Sequence, residues 1–348
     1  MVLNVPNFGR NKKRRRVKMR GYLIKRVLIG LATLYIIATL TFVIFQVVYA
    51  ADPTRTIVDP NFTEEQRQLL IAQYGLNETL STRYVKYLQN TFTFNFGFSF
   101  KSREPINEGL ALRLPNTILL LGTVLVGSIL LGTPVGILAG SRRGSKTDLV
   151  SMAAGLFADG VPAFFVQMIF LLFFSYFFVM WFGIQVFPPR GMVSVPAPTN
   201  PLLLVADVAW HMAMPALSLI VVGFGGYALY VRNLMIDALT QDYVLTARAK
   251  GLSDRTVLYR HAFRSVLPPI ATMVTLAIPG LVTGAIITEF IFTWPGIGTW
   301  YIGALTSDDY PVVQAVLFIY ACLTIICNLV ADILYGILDP RIRVGFRR

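Results

Sequence analysis

A chain of 348 residues that is 55% hydrophobic and only 14% charged falls well below the roughly one-quarter charged content of soluble domains. Its apolar runs of about twenty residues or more exclude a single water-soluble core and define an integral membrane protein. The formal net charge of +13 raises nucleic acid as a partner, but the basic residues follow membrane topology instead.

Residues 1–20 read as a basic cytoplasmic tail, and the dense Lys/Arg content continues to Arg26. The apolar run that follows reaches Ala50 and closes the first span, 21–50. Val48-Tyr49-Ala50 resembles a signal-peptidase site, but the run is too long for a signal sequence, so the span is expected to stay uncleaved. Residues 51–112 are polar and read as a small external domain. Thr63 to Gln66 fits a capping box, and two short helices are expected near 63–74 and 79–90.

Residues 113–338 read as a five-helix transmembrane core, with runs near 115–140, 150–182, 209–231, 266–293 and 311–338. The expected fold is therefore all-α, with six transmembrane helices and both termini cytoplasmic. A tail of 339–348 closes the chain. The 150–182 run would be about 50 Å long as one straight helix, more than the roughly 30 Å membrane core needs. A kink is expected at Gly160-Val161-Pro162. Pro279-Gly280 is expected to break the 266–293 run. With the N-terminus inside, 23 of the 31 Lys and Arg lie on inside segments, which supports this orientation. The basic tail also suits contact with anionic membrane lipid.

Gly140 to Thr147 nearly spells a phosphate-binding loop. Ser145 stands where the second glycine is needed, and a membrane helix rather than a strand precedes it, so a basic turn is the better reading. Gly132, Gly136 and Gly140, spaced by four, form a face for close helix packing, as do Gly280 and Gly284. His211 and His261, the only two histidines, fall at opposite membrane sides. No metal site and no catalytic constellation is expected from them. Cys322 and Cys327 lie on different sides of one helix, so neither a disulfide nor a metal pair is expected. Asp159 stands inside an apolar run. It reads either as a pathway residue or as an acid placed at an aqueous edge by the Gly160–Pro162 break.

The polar segment 236–268 between the fourth and fifth runs carries the functional argument. Tyr243 to Lys250 is helix-prone, Gly251 is a natural stop, and Ser253 or Asp254 suits the cap of a second helix. Re-entry into the membrane is expected at Pro268-Pro269. Two capped helices at a membrane face suit docking of a rigid partner.

Tyr243-Val-Leu-Thr-Ala-Arg-Ala-Lys-Gly-Leu252 resembles the loop of permease subunits of ABC importers, in its dipeptide/oligopeptide (peptide/nickel) version. Leu245, Thr246 and the stretch His261–Arg264 depart from the broader family pattern in the manner of that branch. Arg113-Leu-Pro-Asn-Thr117, Pro134-Val-Gly136, Trp294-Pro-Gly-Ile-Gly298, Asp309-Tyr-Pro-Val-Val-Gln314 and Leu338-Asp-Pro-Arg-Ile-Arg343 extend the likeness. The external domain, with Gly75-Leu-Asn77, is similar to that of the first (B-type) permease of such systems.

The resemblance implies a non-enzymatic subunit of the cell membrane, paired with a second homologous permease. It further implies two cytosolic ATP-binding subunits that hold ATP and Mg, no cofactor on this chain, and an extracellular or periplasmic solute-binding protein. Thr246, Ala247, Arg248, Ala249, Lys250, Gly251, Leu252 and Ser253 would form the ATPase-coupling contact. Substrates implied by the group are dipeptides, longer peptides, nickel complexes, glutathione or oligosaccharides. The competing reading is a stand-alone secondary transporter or channel, which the sparse intramembrane charge disfavours.

Overall fold

The computed structural model describes residues 8–45, 65, 68 and 78–338, without the side chains of 8–20, 22–23, 278–285 and 334–338. The expected capping box at Thr63, most of the helix 63–74, the face at Gly280 and Gly284, and the tail 339–348 lie outside this description. Among the described residues all regular elements are helical, with one isolated bridge between Phe98 and Pro105. Among the described residues, five helices are long and apolar enough to cross a membrane: Ile24–Val43, Ile106–Ser141, Ala163–Phe182, Pro201–Leu239 and Tyr310–Ile333. The sixth expected span falls on a single helix, Arg264–Ile291.

The chain forms two compact units, one of residues up to Asn107 with Tyr310–Asp332, the other built mainly from Glu108–Asp309. The first unit holds α1 (Phe8–Val43), α2 (Leu80–Phe92) and most of α12 (Tyr310–Leu338). Small and aromatic residues set its packing. A Cβ on Gly30 would stand 2.8 Å from Ile325, so α1 and α12 are close there. Arg26 and Asp332 pair across the same two helices at 3.1 Å. Phe42 of α1 meets the rings of Tyr84 and Tyr87 of α2 at 5.1 and 5.4 Å. Phe92, Phe94 and Phe96 surround Phe318. Such ring contacts add about 0.5–1.5 kcal/mol each beyond area burial.

The second unit is organised around α7 (Pro201–Leu239), whose start is fixed by Asn200: its side chain accepts from the Leu202 amide at 2.9 Å, with Pro201 following at the first helical position. Against α7 lie α3 (Ile106–Ser141) and α4 (Lys146–Gly160). Gly132, Gly136 and Gly140 of α3 press on α7, as the four-residue spacing suggests. A Cβ on Gly136 would sit 2.5 Å from the Ala228 carbonyl oxygen and 2.7 Å from Val231 Cβ. Gly155 of α4 similarly meets Gly225.

The break at Gly160-Val161-Pro162 is present. α4 ends at Gly160, and a new rod begins with α5 (Ala163–Phe170), continues through a π-helical stretch, Leu171–Phe177, and ends in α6 (Phe178–Phe182). This rod is the least covered of the five candidate spans, with only 6% of its apolar window buried. Its apolar surface therefore faces outward, towards lipid or another chain.

The fifth run departs from expectation. α10 (Arg264–Ile291) continues through Pro279-Gly280 without a break, and the helix does not stop at Pro268-Pro269 either. In an apolar medium an interrupted helix leaves backbone groups without partners, which outweighs the local cost of proline.

Candidate functional site

The polar segment between α7 and α10 folds as a rigid corner. α8 (Asp242–Ala249) is anchored by Val244 and Ala247, both buried in a cluster with Val231, Met235, Ala238, Val257, Ala262, Val266 and Ile270. Full burial of a valine contributes about 1.5–3 kcal/mol. Tyr243 adds a hydroxyl contact to Ser265 at 2.6 Å.

The helix ends as the sequence suggests. The Gly251 amide donates to the Arg248 carbonyl at 2.9 Å, and Gly251 itself has φ +72°. That left-handed geometry favours glycine. The Ser253 side chain accepts from the Thr256 amide, capping the short α9 (Asp254–Thr256), which runs on through a π-helical turn, Val257–Phe263, into α10.

Among the residues expected to form the coupling contact, Thr246, Arg248, Ala249, Lys250, Gly251, Leu252 and Ser253 are exposed, while Ala247 is buried beneath them. Leu245 and Leu252 also project outward, 53% and 40% exposed, beside Arg248, Lys250 and Arg255. An apolar pair within a basic rim on a firmly seated helix is suited to docking on a complementary surface.

The basic turn that mimics a phosphate loop has another use. Ser145 caps α4, accepting from the Asp148 amide at 3.2 Å, and Asp148 in turn accepts from the Gly144 amide at 2.9 Å. Asp148 also takes a two-pronged contact from Arg232 of α7, at 2.5 and 2.9 Å. Gly144 and Ser145 are thus committed to the protein itself. The Arg232 contact and the Gly144 amide hold the Asp148 carboxyl down to about 2. Its contribution to stability is therefore complete above the ordinary carboxylate range near 3.8 and is lost as pH falls through about 2. Asp148→Asn should remove that component, flattening the acid limb of a thermal-stability profile between pH 4 and pH 2; an unchanged limb would show that other carboxylates set it.

Asp159 lies on the last turn of α4, exposed, with Oδ1 3.4 Å from the position of a Cβ on Gly226. The Gly160–Pro162 break follows it directly.

One polar constellation is not evident from sequence alone. Glu289 of α10 is completely buried. Its carboxylate accepts from the Thr117 hydroxyl at 2.6 Å, from the Gly298 amide at 2.6 Å and from the Thr299 amide at 3.3 Å. It thereby caps α11 (Ile297–Thr306). Thr117 also accepts from the Ile297 amide at 2.9 Å. Beside it the Trp294 indole donates to the Asn116 carbonyl at 3.0 Å, and the Asn116 amide donates to the Pro295 carbonyl at 2.8 Å. Arg113 stacks over Trp300 at 4.6 Å. The Arg113–Thr117 and Trp294–Gly298 motifs are two halves of one clasp. The sequence signal was an acid at the end of an apolar run, with two glycines spaced to admit it.

These helices and contacts define a multi-pass membrane protein whose polar chemistry is concentrated at helix ends. Residues 132–344 match the binding-protein-dependent transport system inner membrane component. Residues 19–121 match the N-terminal part of such membrane components. The chain belongs to this family of transport permeases. It is 34% identical to the oligopeptide transport system permease protein AppB of Bacillus subtilis, over 93% of this chain and 99% of that protein. It is 32% identical to the dipeptide transport system permease protein DppB of Escherichia coli K12, again over 93% and 99%. The glutathione transport system permease protein GsiC of Shigella flexneri is 33% identical over the same shares.

Proposed function

We propose that this chain is one of two membrane-spanning halves of an ATP-driven importer for peptides or a related small solute. Six helices cross the membrane, with both termini in the cytoplasm and residues 51–112 outside. A second homologous permease completes the pathway and covers part of the exposed rod Ala163–Phe182. Two cytosolic subunits hold ATP and Mg, and an external binding protein delivers the solute. The relatives named for oligopeptide, dipeptide and glutathione transport support the solute class.

The observation that carries the reading is the seated, outward-facing corner at residues 246–253. Val244 and Ala247 fix its base to α7 and α10, so a force on the exposed face reaches both helices. ATP-driven closure of the partner ATPases then favours one orientation of the spans over the other. A ligand shifts such an equilibrium only by its differential affinity for the two states. In this reading Asp159, which is exposed beside the Gly160 break, faces the solute pathway.

Gly251→Pro places a residue that cannot adopt φ +72° at the turn. Arg248→Glu reverses charge on the exposed face. Each is expected to reduce ATP-dependent uptake tenfold or more in the assembled transporter, with membrane insertion intact. Wild-type uptake in both variants would remove the corner from the mechanism. Asp159→Asn is expected to lower uptake of substrates bearing a free amine more than of blocked ones. Equal uptake of the two in this variant would confine Asp159 to a structural role.

A further inference from the structure

The turn between α3 and α4 carries Arg142, Arg143 and Lys146, and all three are exposed. Its shape is set from within. The Ser145 amide donates to the Arg142 carbonyl at 3.0 Å, and Gly144 has φ +79°. Asp148, the acid of the turn, is buried and taken up by Arg232. Among the described residues, Arg142 and Lys146 have no ion-pair partner. Three outward cations therefore stand on a fixed base. Because Asp148 is tied to Arg232 near the end of α7, the turn lies at the same end of that helix as the corner at 246–253.

An apolar surface begins in the first turn of α4. Asp148 points towards α7. Val150 and Phe157 fall on the opposite side of α4, aligned by their seven-residue spacing, and Leu149 and Leu156 flank them. All four are more than half exposed. The stripe rises about 10 Å along the helix. Leu138, in the last turn of α3, is exposed as well. A cationic end joined to an apolar track has the polarity of one lipid molecule.

We propose that this turn and stripe bind an anionic phospholipid. Arg142, Arg143 and Lys146 hold the headgroup phosphate, and an acyl chain lies along Val150 and Phe157. Arginine pairs with phosphate oxygens in a two-pronged manner, and lysine adds a point charge. The companion permease is a poorer occupant, because a chain obeying the same charge rule presents basic loops at this level. The proposal rests on the membrane placement of the chain. Neither ATP coupling nor the solute enters it.

The test uses the full chain purified in detergent, without companion subunits, with phosphatidylglycerol and phosphatidylcholine added in equal amounts. Native mass spectrometry counts the lipid retained. Wild type is expected to retain phosphatidylglycerol over phosphatidylcholine by about tenfold or more. Arg142→Gln, Arg143→Gln and Lys146→Gln combined should abolish that preference, with an unchanged thermal midpoint in phosphatidylcholine as the check on folding. Arg142→Gln and Lys146→Gln singly should each lower it about fivefold, so an unstable triple variant does not end the test. Arg248→Gln, Lys250→Gln and Arg255→Gln combined remove as much charge from the corner and should leave the preference at the wild-type level. Glycerol phosphate, the headgroup without chains, should not displace the lipid at equal concentration. Full displacement would overturn the lipid assignment in favour of a free anion. An equal fall in both triple variants would overturn the site and assign the preference to overall charge. Wild-type preference in the turn variant would also overturn it, and loss of ATPase subunits on co-purification of that variant would then mark the turn as a protein contact.

Discussion

Glu289→Ala is expected to lower the stability of the second unit by about 4–6 kcal/mol. The carboxylate accepts three hydrogen bonds in a fully buried setting. Its removal leaves the Gly298 and Thr299 amides and the Thr117 hydroxyl without an acceptor, at about 1–3 kcal/mol each, and opens a cavity besides. Water cannot enter readily to repair the loss. Glu289→Gln keeps one carbonyl oxygen and the side-chain volume, so a loss of about 1–2 kcal/mol is expected. Heating of the purified protein in detergent, followed by recovery of the monodisperse species, reads both variants. A thermal midpoint for Glu289→Ala within about one degree of wild type would show that the clasp carries little stability. Asn116→Ala, which removes only the bond to the Pro295 carbonyl, provides a graded control.

Gly136→Val is expected to have a comparable effect by another route. The added Cβ would stand 2.5 Å from the Ala228 carbonyl oxygen and 2.7 Å from Val231 Cβ. One of these is backbone, and the other belongs to a completely buried side chain. Neither can rotate away, so α3 and α7 must separate. Membrane helices associate through close packing rather than through a hydrophobic driving force, so separation forfeits much of the interaction. Overpacking typically costs about 1–3 kcal/mol, and loss of the neighbouring contacts at Gly132 and Gly140 adds to it. Gly122→Ala is the matched control, because a Cβ at Gly122 meets nothing within 4 Å. Near-wild-type yield and thermal midpoint are expected for Gly122→Ala and a steep loss for Gly136→Val. Equal behaviour of the two would contradict the close approach of α3 to α7.

Local features of this fold are legible in the sequence where a residue type has a local physical consequence. Gly251 ends α8 because the following geometry is left-handed. Gly160-Val161-Pro162 divides a run too long for one span. Gly132, Gly136 and Gly140 share a face because the helix repeat aligns every fourth residue. The prolines were less informative. Pro268, Pro269 and Pro279 lie within one continuous helix, because apolar surroundings penalise an interrupted backbone more than a proline does.

Partnerships between distant residues are not written in local pattern. Thr117 and Glu289 are separated by 172 positions, and Asp148 and Arg232 by 84. Each residue has several possible readings alone. Asp148 belongs to a turn that resembles a phosphate loop until Arg232 is placed beside it. The exposed side of the corner at 246–253 was legible from charge and capping. Its firm seating on Val244 and Ala247 required the contacts to α7 and α10.

The most direct test of the central reading is reconstitution into liposomes. Purified chain is compared alone, with its companion permease, and with the companion permease and both ATPase subunits, using peptide delivered by the binding protein. Uptake is expected only in the complete assembly and only with ATP and Mg, and Arg248→Glu should suppress it at least tenfold. ATP-independent peptide uptake by the chain alone would contradict the account and identify a self-contained transporter.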